Sequence, residues 1–371
     1  MRRFLFSLLL LLLLGSSAAL AVDNQDLLDR QAEALGVDRL EGEIPEEAWD
    51  MLEGVDLGAG ANFERGIGQI FQNAMGGLGG VLQEAARSAA AVVVIAILVG
   101  LLGSTFEGTG GETPNYIPLL GVLAVSVVAL GTSSAFIGLG IGTLQRLEDF
   151  SKSLLPALAA AGTASGALTS SAVKYAGTVL FLDVLITIST RVIMPVIYAY
   201  IAACIGNAAM GGEGLKGAAN LLKWIAGIMI TAIMIAFVTY ITVTGLVSGS
   251  ADVATTRMAK AAISTALPVV GGIVSDAAET VLAGAAMVRN VIGVLGLLVV
   301  LSLCLLPILQ LGAHYLLFKA AAGLTGAVAD KRVGGLIGEL GTAFGMVMGL
   351  TGAGALMLFF SIISMMRMVT V

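Results

Sequence analysis

The sequence predicts an all-α, polytopic helical membrane protein with about six transmembrane helices. Of its 371 residues, 57% are hydrophobic and 12% are charged, whereas soluble domains carry about 45–50% and about 25%. The apolar residues occur in blocks of twenty or more, the length that a helix needs to cross about 30 Å of hydrocarbon. A secretory leader precedes these blocks. A water-soluble fold is therefore excluded.

The first 21 residues have the order of a cleaved secretory signal peptide. Arg2 and Arg3 precede the apolar run 4–14, and small residues follow as far as Ala21, after which we expect cleavage. An uncleaved signal anchor is the alternative, but eleven apolar residues are short for a membrane span. In both cases residues 1–21 are set apart from the fold.

Residues 22–84 are expected to form an acidic extracytoplasmic segment with an amphipathic stretch. Between Val22 and Arg65 the chain carries thirteen acidic residues and three arginines, a local charge of −10 against −6 for the whole chain. Pro45, followed by two glutamates, is typical of a helix start. Residues 66–80 are glycine-rich and amphipathic, and we expect them to lie along the membrane surface. The segment is suited to contacts between proteins, and no basic patch indicates nucleic acid.

Six spans are predicted in the transmembrane domain, residues 85–371. They cover residues 85–106, 117–141, 176–205, 224–248, 291–317 and 341–366. Two further apolar segments, 154–173 and 263–288, are rich in small residues and open with Leu-Pro; they either span the bilayer or are re-entrant. The prolines expected to break helices are Pro156, Pro195, Pro268 and Pro307.

A spacing of 112 residues suggests an internal repeat of about 117–206 and 229–318. Leu155-Pro156 is matched by Leu267-Pro268, and Pro195 is matched by Pro307. Chance spacing is the alternative. Whether such copies run parallel or inverted depends on the path of the Leu-Pro segments.

The positive charges do not support an orientation with the soluble segment outside. On that topology the inner loops hold five cations, which are Lys216, Lys223, Lys319, Lys331 and Arg332, and the outer segments after the first span hold seven. The positive-inside rule leans slightly against this orientation, so the signal peptide is the better guide.

Asp183 and Arg191 are ionisable residues within the third predicted span. They lie eight positions apart, on one helix face and about 12 Å along the axis. Intramembrane charges usually face protein or water. They therefore indicate a polar lining or ion pathway, or else an interhelical pair or a snorkelling arginine.

Asp276 and Glu279 lie within the second Leu-Pro segment and share a face if that segment is helical. In a transporter, such carboxylates beside a broken helix suggest cation or proton coupling. The favoured interpretation is a helix start, with Ser275 as N-cap and the acids in the first turn.

Gly341, Gly345 and Gly349 repeat at every fourth residue of the last span. Small residues on one stripe let helices approach closely. The pattern predicts a packing seam within the chain or between subunits.

Cysteine and histidine give no catalytic or metal site. Cys204 and Cys304 lie a hundred residues apart inside apolar blocks, which fits neither a disulfide framework nor a metal-ligand spacing. His314 is the single histidine. We therefore expect no enzymatic activity, no metal and no cofactor.

Three strings in the chain resemble the stage III sporulation protein AE family of endospore-forming bacteria. They are PVVGGIVSDAAETVLAG from Pro268, IGVLGLLVVLSLCLLPILQLGAHYLLFKAAAGL from Ile292, and LLPALAAAGTASGA around Pro156. The signal peptide, the acidic segment and the polytopic remainder fit the resemblance, which covers most of the chain. These strings are not catalytic signatures, so no active-site residue is carried over.

The resemblance implies a subunit of the channel or secretion-like complex that joins mother cell and forespore and supports late forespore development. It implies a multi-pass location in the mother-cell membrane. The implied partners are the other sporulation stage III operon proteins, including a secretion-type ATPase and ring-forming membrane proteins, and indirectly a forespore membrane protein.

Two other functions compete with this one. A stand-alone secondary transporter, or permease, is suggested by the repeat, the prolines in spans and the intramembrane Asp, Arg and Glu residues. A membrane enzyme is the weakest reading, since no loop places a nucleophile beside a base.

Overall fold

The computed structural model describes residues 33, 40, 42–57, 62–107, 116–210, 214–266, 271–326 and 330–367, with backbone alone over 245–257, 259–266 and 271–280. The predicted signal peptide, residues 1–21, and the start of the acidic segment lie outside these ranges. The described elements are helices: α1 (Glu46–Leu52), α2 (Phe63–Glu107), α3 (Tyr116–Ala164), α4 (Leu168–Ile188), a π-helical turn (Ser189–Ile193), α5 (Met194–Met210), α6 (Lys216–Ala266), α7 (Gly271–Thr325) and α8 (Lys331–Met366).

The predicted all-α membrane fold with six spans is confirmed. Six helical stretches are long and apolar enough to cross a bilayer: Phe63–Phe106, Tyr116–Ala164, Leu168–Met210, Lys216–Thr244, Val281–Thr325 and Lys331–Met366. The helices are much longer than the predicted spans. At about 1.5 Å per residue, the 55 residues of α7 extend about 80 Å, whereas the hydrocarbon core is about 30 Å thick. The bundle therefore projects beyond the membrane.

The antiparallel hairpin of α7 and α8 forms the centre of the bundle. At one end Gly341 lies against Phe318, and at the other Gly293 lies against Met366. The apolar part of α7 is the most buried of the six spans, and that of α6 is the least buried. The other helices therefore pack their hydrophobic faces against α7 and α8.

Helices α3, α4 and α5 pack on the α8 side of this hairpin. A Cβ on Gly140 of α3 would meet Val347 of α8 at 2.6 Å and Met194 of α5 at 3.5 Å. A Cβ on Gly354 of α8 would meet Leu144 at 2.4 Å. Glycine at such positions lets the helices approach closely, since a larger residue would require the neighbouring side chains to shift.

The acidic segment folds back onto the transmembrane helices. Helix α1 begins directly after Pro45, as the sequence predicts, and buries Ala48 and Leu52. The Asn73 amide of α2 donates hydrogen bonds to the carbonyls of Met51 and Glu53, each at 3.0 Å. The end of α1 is thereby fixed to α2.

The predicted breaks at Pro156 and Pro307 are not observed, because α3 continues through Pro156 and α7 through Pro307. A proline removes one helical hydrogen bond, but neighbouring helices and local adjustments compensate for that loss. Pro268 lies outside the described residues.

The first Leu-Pro segment, 154–173, is not a separate membrane element. It contains the end of α3, a turn and the start of α4. The turn is made at Gly166, whose φ of +92° favours glycine. Gly166 N–H donates to the Thr163 carbonyl and Ala167 N–H to the Gly162 carbonyl, each at 3.0 Å, which is the Schellman pattern. The chain therefore reverses at Gly166, which adopts a positive φ, and not at Pro156. The second segment, 263–288, includes residues 267–270, which lie outside the described part.

Pro195 differs from Pro307 although the 112-residue spacing pairs them. The π-helical turn ends two residues before Pro195, and Met194 N–H donates to the Ser189 carbonyl in place of the α-helical acceptor. A widened turn relieves the clash between a proline ring and the carbonyl four residues earlier. The α-helical hydrogen-bond ladder is therefore interrupted at this point only locally.

Candidate functional site

Four polar side chains from four helices meet beside the α7–α8 hairpin. They are Tyr200 of α5, Lys223 of α6, Lys319 of α7 and Glu339 of α8, which we call the Glu339 cluster. Helix α8 contacts each of the other three helices. The packing of the bundle therefore brings together residues that are up to 139 positions apart.

The Glu339 carboxylate is the acceptor at the centre of the cluster. The side chain of Tyr200 is buried, and its hydroxyl donates a hydrogen bond to the carboxylate. Lys223 Nζ lies 4.0 Å from the same carboxylate oxygen, and both of these side chains are nearly half exposed. At that exposure an ion pair adds little stability, so the tyrosine is the stronger partner.

Lys319 links α7 to α8. Its ammonium group donates to the Gly338 carbonyl at 2.8 Å and to Thr342 Oγ at 2.7 Å. Two of its three N–H donors are therefore used by these contacts.

A cavity of about 370 Å³ lies on one side of the cluster. Its lining includes Asn207, Lys216, Lys331, Arg332 and Glu339. Lys216 and Lys331 are the first residues of α6 and α8, so the positive ends of two helix dipoles add to the three cations. The cavity therefore favours negative charge.

A half-open groove of about 550 Å³ lies on the other side, between α6 and the hairpin. Lys223 and Lys319 are at one end of it, and its lining also includes Ile230, Gly345 and Met348. The groove is thus basic at one end and mainly apolar along its length.

The cavity and the groove are lined by the five cations that the predicted six-span topology puts in inner loops. Lys216, Lys331 and Arg332 line the cavity, and Lys223 and Lys319 line the groove. The sequence gives only the number of these cations, whereas the fold brings all five to one end of the bundle.

Two of the four predicted polar candidates, Asp183 and Arg191, lie outside the Glu339 cluster. Asp183 on α4 and Arg191 in the π-helical turn are both exposed on the outer face of the bundle. Asp276 and Glu279 belong to α7, but only their backbone is described. The roles predicted for these four residues stay predictions.

The glycine stripe of α8 lies against α7 over part of its length. A Cβ on Gly341 would meet Lys319 at 3.3 Å, and a Cβ on Gly345 would meet the Tyr315 ring at 3.0 Å. Gly349 has open space around its Cβ position and lines the groove. Two of the three glycines therefore touch the neighbouring helix, and the third faces the groove.

Two buried cations lie at the opposite end of the bundle. Lys174 of α4 donates to the Ser364 carbonyl in the last turn of α8 at 2.7 Å. Arg289 of α7 donates to Ser165 Oγ at 2.9 Å. Lys174 thus satisfies one of the carbonyls that a helix end leaves without an intrahelical partner.

No catalytic arrangement is formed by the described residues. They include no group of three or more potential metal ligands. His314 is buried, its Nδ1 lies 3.0 Å from the Gln310 carbonyl, and its ring packs on Phe136. Cys204 and Cys304 are buried thiols. These residues act in packing.

Sequence reasoning missed Glu339, Tyr200 and Lys174. Glu339 lies just before the predicted last span, and a shift of two residues in that boundary would have made it an intramembrane acid. Its position among Gly334, Gly338 and Gly341 was the available signal, since an acid in a close-packed stripe needs a nearby partner.

The chain was compared with known proteins. It matches the family described as stage III sporulation protein AE over residues 56–369. A protein of Bacillus subtilis (strain 168) named Stage III sporulation protein AE is 23% identical over 233 residues, which cover 63% of this chain and 58% of that protein. The match thus spans less than two thirds of the relative. No solved structure matches the chain.

Proposed function

Because the chain belongs to the stage III sporulation protein AE family, a family of sporulation-related membrane proteins, we propose that it is an integral subunit of the channel or secretion-like complex between mother cell and forespore. In this function the protein works by assembly and not by catalysis. It lies in the mother-cell membrane with its acidic segment on the extracytoplasmic side. Its partners are the other sporulation stage III operon proteins, among them a secretion-type ATPase and ring-forming membrane proteins, and indirectly a forespore membrane protein.

The observation that carries the proposal is the charged outer face formed by α4 and the π-helical turn that follows it. Asp183 and Arg191 are exposed on the outside of the bundle, in a stretch that is long and apolar enough to cross a membrane. Charged groups facing hydrocarbon are costly and almost always face protein or water instead. In a single copy surrounded by lipid, these two charges would face hydrocarbon. A neighbouring subunit or an aqueous channel would instead give them a polar environment.

The anchored acidic segment also supports assembly. Helix α1 is fixed to α2 by Asn73, and Arg146 of α3 pairs with Glu47 at 3.3 Å. Glu46, Asp50 and Glu53 remain exposed. The transmembrane bundle thus holds an acidic surface in a defined position, as a contact between proteins requires.

The test is gene deletion in a spore former, followed by complementation. The deletion is expected to arrest development after engulfment, and the natural chain is expected to restore spores. A variant with Asp183→Leu and Arg191→Leu should insert in the membrane and still fail to restore them or to copurify with the other operon products. Normal sporulation in the deletion strain would overturn the proposal.

A secondary transporter is the second candidate, and one observation favours it. Glu339 lines the cavity and lies 4.0 Å from the ammonium group of Lys223, which lines the groove, and an acid in that position is suited to coupling an ion to a solute. This reading predicts solute uptake in vesicles that contain the protein alone and loss of uptake in Glu339→Gln. Assembly as the sole function predicts no uptake by either protein.

A further inference from the structure

We propose that the groove between α6 and the α7–α8 hairpin binds an anionic phospholipid, with the headgroup phosphate at Lys223 and Lys319 and an acyl chain along α8. The proposal does not depend on the sporulation function, because it rests only on the shape and chemistry of the groove.

The basic end of the groove fits a phosphate. Lys223 and Lys319 line the same end, and two of the three donors of Lys319 already bind Gly338 and Thr342. The remaining donor and the half-exposed ammonium of Lys223 provide charge for one phosphate. The acid Glu339 lies beside them, but its carboxylate already accepts from Tyr200.

The rest of the groove fits a hydrocarbon chain. Its walls include Ile230, Met346 and Met348, and the small residues Gly345 and Gly349 keep its floor low. No heavy atom lies within 4 Å of a Cβ built on Gly349. Methionine side chains adapt to flexible apolar ligands. An apolar channel with cations only at one end is the shape that an amphiphile fills.

Charge beyond the groove strengthens the selection for an anion. Lys216, Lys331 and Arg332 line the cavity on the far side of Glu339. Basic pockets between transmembrane helices are known sites for anionic headgroups. The local excess of cations therefore favours phosphatidylglycerol or cardiolipin over a zwitterionic lipid.

The experiment measures lipid binding to the full chain purified in neutral detergent, by native mass spectrometry and by the thermal unfolding midpoint. Phosphatidylglycerol, phosphatidylcholine and inorganic phosphate are titrated separately. We expect phosphatidylglycerol to bind and to raise the midpoint, phosphatidylcholine to bind at least fivefold more weakly, and inorganic phosphate to have no effect. Stabilisation by inorganic phosphate equal to that by phosphatidylglycerol would overturn the proposal, because the site would then be one for free phosphate.

Two variants remove separate parts of the site. Lys223→Gln with Lys319→Gln should weaken phosphatidylglycerol binding at least fivefold, whereas Lys152→Gln, an exposed lysine of α3 outside the groove, should not. Gly349→Leu should block the chain while leaving every charge in place. Its control is Gly131→Leu, since Gly131 is also exposed with open space around its Cβ position.

Circular dichroism and size-exclusion chromatography establish that each variant is folded. If the double lysine variant does not fold, Gly349→Leu alone decides the question. Unchanged phosphatidylglycerol binding in Gly349→Leu would contradict the proposal.

Discussion

The hydroxyl of Tyr200 on α5 donates a hydrogen bond to the carboxylate of Glu339 on α8, and this contact joins residues 139 positions apart. The tyrosine is buried, so its hydroxyl has given up water to make the bond. The pair fixes α5 to the central hairpin next to the cavity and the groove. It is therefore the contact whose removal reports most directly on how α5 is held.

Removing the Tyr200 hydroxyl should destabilise the bundle. Tyr200→Phe leaves the ring in place and takes the donor from Glu339, and hydrogen bonds to charged groups contribute about 1.5–3 kcal/mol. We expect a lower thermal unfolding midpoint in detergent. Tyr198→Phe is the matched control, because Tyr198 is on the same helix and 44% exposed.

A double-mutant cycle separates the pair from its surroundings. Tyr200→Phe, Glu339→Gln and the double variant should show a coupling free energy of about 0.5–3 kcal/mol. Additive effects of the two substitutions would show that the tyrosine acts through packing alone.

The close contact of Gly345 with α7 should not tolerate a side chain. A Cβ there would be 3.0 Å from the Tyr315 ring, so Gly345→Val requires that ring to move, and overpacking of this kind typically costs about 1–3 kcal/mol. Gly349→Val has open space around its Cβ and should leave the unfolding midpoint nearly unchanged. Equal destabilisation by both substitutions would mean that helix propensity, and not packing, sets the requirement for glycine.

The sequence predicted the number of spans because each span carries its own signal, a long apolar run. It also predicted the helix start after Pro45 from local chemistry. It did not predict the full length of α3, because the part of α3 after residue 141 is buried by other helices and not by lipid, and hydropathy does not distinguish the two. The turn at Gly166 was not predicted, because the Leu-Pro pattern points to Pro156, ten residues earlier.

The site was predictable only in part. Lys216 and Lys331 were recognised as charges, but no local pattern brings the start of α6 beside the start of α8. The contact between Tyr200 and Glu339 likewise depends on tertiary packing of α5 on α8. Asp183 and Arg191 stood out because an ionisable residue in an apolar run is visible in the sequence itself, whichever way it faces.

Lys174 should stabilise the last turn of α8. Its ammonium donates to the Ser364 carbonyl in the last turn of α8, where a cation also interacts favourably with the helix dipole. Lys174→Met keeps the approximate length of the side chain and removes the donor to a half-buried carbonyl, and such a hydrogen bond contributes about 0.5–3 kcal/mol. We expect faster amide hydrogen exchange over the last turn of α8. Lys152→Met, on an exposed face of α3, is the control and should leave that exchange unchanged, and an equal effect of both variants would contradict the capping role.

Asn73 should hold the acidic segment on the bundle. Its amide donates hydrogen bonds to two carbonyls at the end of α1, those of Met51 and Glu53. An alanine at this position can make neither bond. Asn73→Ala is expected to release residues 46–57, so that limited proteolysis cleaves after α1 at least several times faster while the transmembrane helices stay protected. Gln72→Ala, an exposed neighbour on the same helix, should be cleaved at the natural rate. If Asn73→Ala is cleaved no faster than this control, the buried side chains of Ala48 and Leu52 hold α1 by themselves, and the acidic surface is positioned by apolar packing instead of by the asparagine.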